Sequence, residues 1–322
     1  MIDPLRAHVD RALEAAGMDA IDTLRAFFIL AAATTVSISI PSVLRSRFLV
    51  YGPRATSSSA GSQPAAAQRS SAATALLDYL ATWQVPHSYF IQFYIASVLS
   101  SVFWAAQLLS RGNLFQAIAA RVGEAHRQQS MTATQVLICW LLLAIQGSRR
   151  LWECISFSKP STSRMWFVHW LLGLGFYLAA GIAIWIEGSG TILSRSLSLS
   201  DLQMTNAPTL RTFLCVPLFL LASGIQHDCH HYLSSLKKYT LPDHPVFRGV
   251  VCPHYGAECI IYLSLAYLAA PPGQVVNKTM FACLAFVAVN LGLTAQTTKQ
   301  WYMQKFGRET VEDWWLMIPY IY

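Results

Sequence analysis

Apolar residues fall into long runs, near 24–44, 89–109, 131–147, 166–186, 210–226, 257–270 and 279–296. These are about seven candidate membrane-spanning helices. The third, fifth and sixth are short, and each abuts a polar cluster. Such ends are expected to line a cavity rather than lipid, because bare polar groups are not tolerated in hydrocarbon. The sixth run contains an exception to its own pattern. In CPHYGAECIIYLSLAYLAA, Glu258 lies about one turn inside the apolar stretch. A carboxylate at membrane depth costs roughly 2.5–3.5 kcal/mol on insertion scales, so it needs a partner or a polar cavity. The fifth run closes on Gln226-His227-Asp228-Cys229-His230-His231. Two polar clusters at adjacent span ends predict one buried polar site. The competing reading is a solvated, interfacial Glu258 near Lys237 or Arg248.

Composition supports an all-α, polytopic transmembrane helical bundle. Of 322 residues, 54% are hydrophobic and only 12% charged, about half the charge of a soluble domain. Residues 1–22 carry Asp3, Asp10, Glu14, Asp19 and Asp22 against Arg6 and Arg11. They read as a short amphipathic helix, not as a cleavable signal with a basic start. The stretch RATSSSAGSQPAAAQRSSAA, 54–73, is too poor in large apolar groups to fold and reads as a disordered loop. The expected division is therefore 1–84, an N-terminal helix, first span and loop, and 85–322, the membrane domain proper.

With seven spans the connections alternate sides, and fourteen of the 23 Lys and Arg residues fall on one of them. The positive-inside rule puts that side, with the 148–165 and 228–256 connections and the C-terminal tail, in the cytoplasm. This topology accounts for the net charge of +7. Nucleic acid is not an expected partner, since no basic stripe carries stacking aromatics. The seven cysteines are scattered singly and read as small apolar packers. Asn277-Lys278-Thr279 matches a glycosylation sequon, but at the edge of a span, where a glycan is not expected.

The chemistry-bearing residues gather at the same span ends. His227-x-x-His230-His231 has the form of a di-iron box, but two irons need about eight histidines from several boxes. The other six histidines form no second box, so no metal is expected. Arg149-Arg150 reads either as a topology anchor paired with Glu153 or as a phosphate clamp, since the guanidinium fork matches phosphate oxygens. Lys237-Lys238 and Lys299 would add positive charge beside it. No glycine-rich nucleotide loop is present, so any dinucleotide would bind inside the helical bundle.

Five blocks together carry a family resemblance. VPHSYFIQFYIAS, GSRRLWECISFSKPSTSRMWFVHWLLGLGFYLAAG, QHDCHHYLSSLKK, LPDHPVFRGVVCPHYGAECIIYLSLA and TTKQWYMQKF with the terminal IPYIY stand in this order between residues 85 and 322. They resemble the steroid 5α-reductase family, in particular its polyprenol (polyprenal) reductase branch. The resemblance implies a multi-pass bundle in the endoplasmic-reticulum membrane that takes NADPH from the cytoplasmic side. It implies a CH–CH oxidoreductase acting on a long-chain polyprenyl lipid, supplying dolichol for protein N-glycosylation. The family's cofactor positions match Arg150, Gln226, His230, Lys237, His254, Glu258 and Tyr302. Gln226 and His230 replace its usual Asn and Asp, and Lys237 its usual Arg. Lys299 stands where a His is common. The steroid branch's Gln-Glu pair reads Gln92-Phe93 here, which favours a polyprenyl over a steroid substrate.

Hydride adds to a carbon–carbon double bond only if the resulting charge is delocalised. An α,β-unsaturated aldehyde offers its oxygen as the sink, and an allylic alcohol offers none. Polyprenal, giving dolichal, is therefore expected over polyprenol. A donor must sit near the aldehyde oxygen. Gln92 and Tyr94 are the expected catalytic residues, with Tyr89 a third candidate that also reads as interfacial packing. Two alternatives stand. CPHYGAE also resembles the turn of membrane isoprenylcysteine methyltransferases, which would use S-adenosylmethionine, and a non-enzymatic lipid-binding role fits the composition.

Overall fold

Seven long helices carry the described chain back and forth between two ends. The computed structural model describes residues 17–49, 72–159, 162–203, 207–237 and 240–322. Most of the expected N-terminal helix, the 54–73 loop up to residue 71, and Lys238 lie outside those residues. The helices are α1 (Ala20–Ser39), α2 (Ser42–Phe48), α3 (Ala72–Ala81), α4 (Ile91–Ser110), α5 (Asn113–Ala119), α6 (Glu124–Gln128), α7 (Ala133–Phe157), α8 (Phe167–Ile186), α9 (Ser189–Ser194), α10 (Leu210–Ser235), α11 (Pro253–Leu268), α12 (Lys278–Phe306) and α13 (Arg308–Val311). The long members are α1, α4, α7, α8, α10, α11 and α12. Five of them, α1, α4 with its leading turn, α8, α10 and α12, are long and apolar enough to cross a membrane by length and composition. The other two are the short α11 of 16 residues and α7, which carries Gln146, Arg149, Arg150 and Glu153.

Hydropathy places the long helices but misjudges their ends. The apolar run 131–147 is the first part of a helix that continues to Phe157, and 210–226 continues to Ser235. The polar clusters are thus the last turns of helices, not loops. A polar residue continues a helix at little cost when its side chain finds a partner, and here each cluster partners the others. Helix starts follow side-chain caps. Thr132 and Gln135 form a reciprocal capping box on α7, and Asn277 accepts from Met280 N at the start of α12. Asn277 is fully buried and donates to Ala269 O at 3.1 Å. The sequon is therefore spent on a cap. The seven cysteines are free thiols, six of them buried.

In the packing, α10 lies on α11, α12 on both α1 and α11, and α4 on α7 and α8. At the end reached by the N-termini of α1 and α12, Glu187 ties elements together. It accepts from Arg25 Nη2 at 2.9 Å and from Thr279 Oγ1 at 2.5 Å. Nearby, Asp19 caps α1 and accepts from Gly123 N at 2.7 Å, with His126 Nδ1 at 2.6 Å. Burial alone would raise the Asp19 carboxyl, but these hydrogen bonds hold it below its ordinary value.

The opposite end is clipped by two short pairings. Gln84–Pro86 pairs antiparallel with Arg164–Trp166, in register Val85 to Met165, and joins the entry of α4 to the entry of α8. The tail returns beside the start of α11, with Val251 N and Cys252 N donating to Trp315 O and Leu316 O at 2.8 and 2.9 Å. The 148–165 connection, the 228–256 connection and the tail thus share one end, as the alternation of spans requires. Gly256 permits the tail's approach, because a Cβ there would stand 2.5 Å from Met317 O. Gly256→Ala should cost about 1–3 kcal/mol through overpacking. A thermal-unfolding midpoint equal to wild type would show that the tail does not bear on α11.

Candidate active site

The site is built on one face of α7. Gln146, Arg149, Arg150 and Glu153 stand at i, i+3, i+4 and i+7, so their side chains line a single stripe. Glu153 is buried to 2% exposure and is the hub. It accepts from both Arg149 and Arg150. It also lies 2.8 Å from the Nδ1 atoms of His227 and His230 on α10. A carboxylate only accepts, so His227 turns Nδ1–H toward Glu153, whereas His230 Nδ1 stands between the Glu153 acceptor and the Arg150 Nη1 donor, 2.7 Å away.

A second junction links α7, α10 and α11. Gln146 Nε2 donates to Gln226 Oε1 at 2.9 Å and to Glu258 Oε2 at 3.1 Å. Gln226 Nε2 also donates to Glu258 Oε2, and Arg149 donates to Gln226 Oε1 and to Gln146 Oε1. Glu258 is therefore not a solvated interfacial residue. Its negative charge is held by two amide donors, both on Oε2, so Oε1 remains an acceptor.

A cavity of about 180 Å³ opens beside this network. Its polar wall is Tyr94, Arg150, Gln226, His230 and Glu258, and its apolar wall includes Phe93, Phe176, Phe286 and Leu291. Arg150 Nη2 donates to the Tyr94 hydroxyl at 2.7 Å, and its guanidinium lies 4.7 Å from the Tyr94 ring centre. Because arginine can only donate, the Tyr94 oxygen is the acceptor of that bond, and its hydroxyl also meets the Tyr177 hydroxyl in a side-chain hydrogen bond. Tyr177 on α8 packs edge-on against Tyr94 at 5.3 Å between ring centres and also lines the cavity.

Five of the residues expected from sequence thus meet at one cavity: Tyr94, Arg150, Gln226, His230 and Glu258. The others stand elsewhere. His254 is buried behind the wall, 5.4 Å from His230 between ring centres. Tyr302 is buried on α12 against Phe306. Gln92 faces α8 and accepts from Trp170 Nε1 at 2.9 Å. Lys237 is exposed at the end of α10. Lys299 does not extend toward a phosphate: its Nζ donates to Glu312 O and Trp314 O at 2.7 and 2.6 Å and pins the tail. Arg150 already directs Nη1 to Glu153 and His230 and Nη2 to Tyr94.

Glu153 as a hub, Gln146 and Tyr177 were not singled out from sequence. The spacing of Gln146 with Arg149, Arg150 and Glu153 was the available signal for the first two. Among the described residues, the one group with metal-ligand composition is Asp19, Asp22 and His126 at the opposite end. The Arg25 guanidinium already stands there, 3.3 Å from both Asp22 Oδ1 and His126 Nε2.

Comparison with known proteins agrees with this reading. Residues 175–322 match the family model described as 3-oxo-5-alpha-steroid 4-dehydrogenase. A rice (Oryza sativa subsp. indica) protein named polyprenal reductase 1 is 27% identical over 290 residues, covering 75% of this chain and 80% of its own. The Saccharomyces cerevisiae polyprenal reductase is 31% identical over 185 residues, 57% of this chain and 64% of its own. The human polyprenal reductase is 26% identical over 245 residues, 70% of this chain and 74% of its own. In residues 175–322 the chain is thus similar to the steroid 5α-reductase family, and over longer stretches to proteins named polyprenal reductase.

Proposed function

We propose that the protein is an NADPH-dependent reductase of the α-isoprene double bond of polyprenal, giving dolichal, in the endoplasmic-reticulum membrane. The observation that carries the reading is the Arg150–Tyr94 pair on the wall of an otherwise largely apolar cavity. It is a hydroxyl donor backed by a fixed positive charge, placed where negative charge would develop on an aldehyde oxygen. Donors set in advance at such a point contribute more than donors that must reorganise. The relatives named polyprenal reductase support the substrate class. Phe93 supports it too, because an apolar ring follows Gln92 where the steroid branch carries a carboxylate.

The residues present fit a reduced nicotinamide. Glu258 Oε1 is an acceptor on the cavity wall, suited to an amide or ribose hydroxyl donor, and the His230 ring and Gln226 stand on the same wall. When bound, NADPH supplies the hydride for the β-carbon. Exposed Lys237 follows the end of α10, on the end reading as cytoplasmic, where phosphates would remain in water. The chain's own groups do the rest. Tyr94 holds the oxygen, Arg150 and Glu153 hold Tyr94, and the Phe176 and Phe286 faces give the lipid chain an apolar wall.

The test sets the two enzyme readings against each other. Purified protein in nanodiscs is titrated separately with NADPH and with S-adenosylmethionine, following quenching of intrinsic tryptophan fluorescence. Saturable binding of NADPH alone is expected. Binding of S-adenosylmethionine without NADPH would transfer the site to methyl-group chemistry.

A further inference from the structure

A second chamber, of about 20 Å³, lies between the C-terminal part of α1 and α12. It shares three wall residues with the main cavity, His169, Asn290 and Thr294. Its other end reaches Gln296 and Gln300, both exposed. The chamber thus lies between two exposed glutamines and the wall it shares with the reacting cavity, and Arg150 does not line it. Its size suits one water molecule, for which about 10–15 Å³ is enough.

The lining suits water as well. Thr35, Ser39, Thr294 and Thr297 each donate their hydroxyl hydrogen to a carbonyl of their own helix, at 2.7–2.9 Å. Their oxygens keep lone pairs for an incoming O–H. Asn290 lies in the middle of α12, and among the described residues its carboxamide makes no side-chain hydrogen bond. A carboxamide inside a membrane-length helix that lines both spaces marks a polar function there.

We propose that this chamber is the water path that supplies the proton of the reaction, with Asn290 holding the water at the junction. The inference rests on the reductase reading above. Reduction of the double bond consumes one hydride and one proton. The β-carbon receives the hydride, and the π pair moves to the oxygen as an enolate. That pair then forms the new C–H bond at the α-carbon, taking a proton from the junction water. The water regains a proton from the aqueous end, and Tyr94 keeps its own.

The test uses the full-length protein in nanodiscs. The wild type must first reduce polyprenal with NADPH; failure there overturns the reductase reading and not the chamber alone. In Asn290→Leu, kcat should fall at least about tenfold, as for loss of a proton-transfer aid. The KM values should hold, the solvent deuterium isotope effect should rise, and the effect of 4-deuterated NADPH should shrink. Ser39→Cys lies outside the main cavity and gives a readout without turnover. Hydrogen peroxide, little larger than water, added from the aqueous phase should oxidise it to the sulfenic acid, trapped and located by peptide mapping. Wild-type kcat and isotope effects in folded Asn290→Leu would overturn the proposal. So would a changed KM for NADPH with unchanged isotope effects, which would make Asn290 a cofactor contact. No modification of Ser39→Cys would show that water does not reach the chamber.

Discussion

Tyr94→Phe should reduce polyprenal about a hundredfold to a thousandfold more slowly than wild type, the usual loss when one preorganised donor to a developing oxyanion is removed. The effect should fall on kcat. The ring remains, with its contacts to Tyr177 and Phe90 at 5.3 and 5.6 Å between centres, so the cavity wall keeps its shape. Arg150 keeps its bond to Glu153, and NADPH affinity should stay within about twofold, well below the tenfold that 1.4 kcal/mol represents. Steady-state kinetics at saturating NADPH, with cofactor binding measured separately, checks both halves. Unchanged kcat would remove Tyr94 from the chemistry and leave it as packing beside a cation.

Glu153→Ala should do more damage, and to the fold first. One buried carboxylate offsets Arg149 and Arg150 and orients His227 and His230. Its removal leaves two neighbouring guanidiniums with like charge and only Glu258 as a counter-charge. Breaking a buried pair from one side costs about 3–5 kcal/mol. The variant should therefore unfold at a markedly lower temperature and lose reductase activity together. Glu153→Gln retains an acceptor and should lie between the two. Thermal unfolding in detergent or nanodiscs decides it. A midpoint for Glu153→Ala equal to wild type would mean that the guanidiniums find water instead, and that Glu153 is not the hub.

The site was half legible before any coordinates. Glu258 and the Gln226–His231 cluster stood out because polar residues at span ends are costly unless they meet, and Gln226, His230 and Glu258 do meet. The face of α7 was harder to read. Arg149, Arg150 and Glu153 follow an apolar run, and a run's edge is where topology-setting charge also sits. Hydropathy could not tell a helix that stops from one that continues into a polar cavity; α7, α10 and α12 continue. Lys299 and Gln92 were placed in the site by resemblance and are elsewhere in the structure. Their partners are the carbonyls of Glu312 and Trp314 and the indole of Trp170. Such pairings depend on how the tail and α8 return in space, which residue spacing does not encode. Tyr177 gave no signal, since an aromatic in an apolar helix reads as packing.

The central claim is the position of bond formation, and isotope transfer measures it directly. Purified protein is given polyprenal and NADPH deuterated on the transferred C4 position, and the lipid product is analysed by mass spectrometry and proton NMR. The account predicts dolichal with one deuterium on the β-carbon and none on the aldehyde carbon. Deuterium at the aldehyde carbon, giving polyprenol with its double bond intact, would contradict it, as would no transfer by folded protein that binds NADPH.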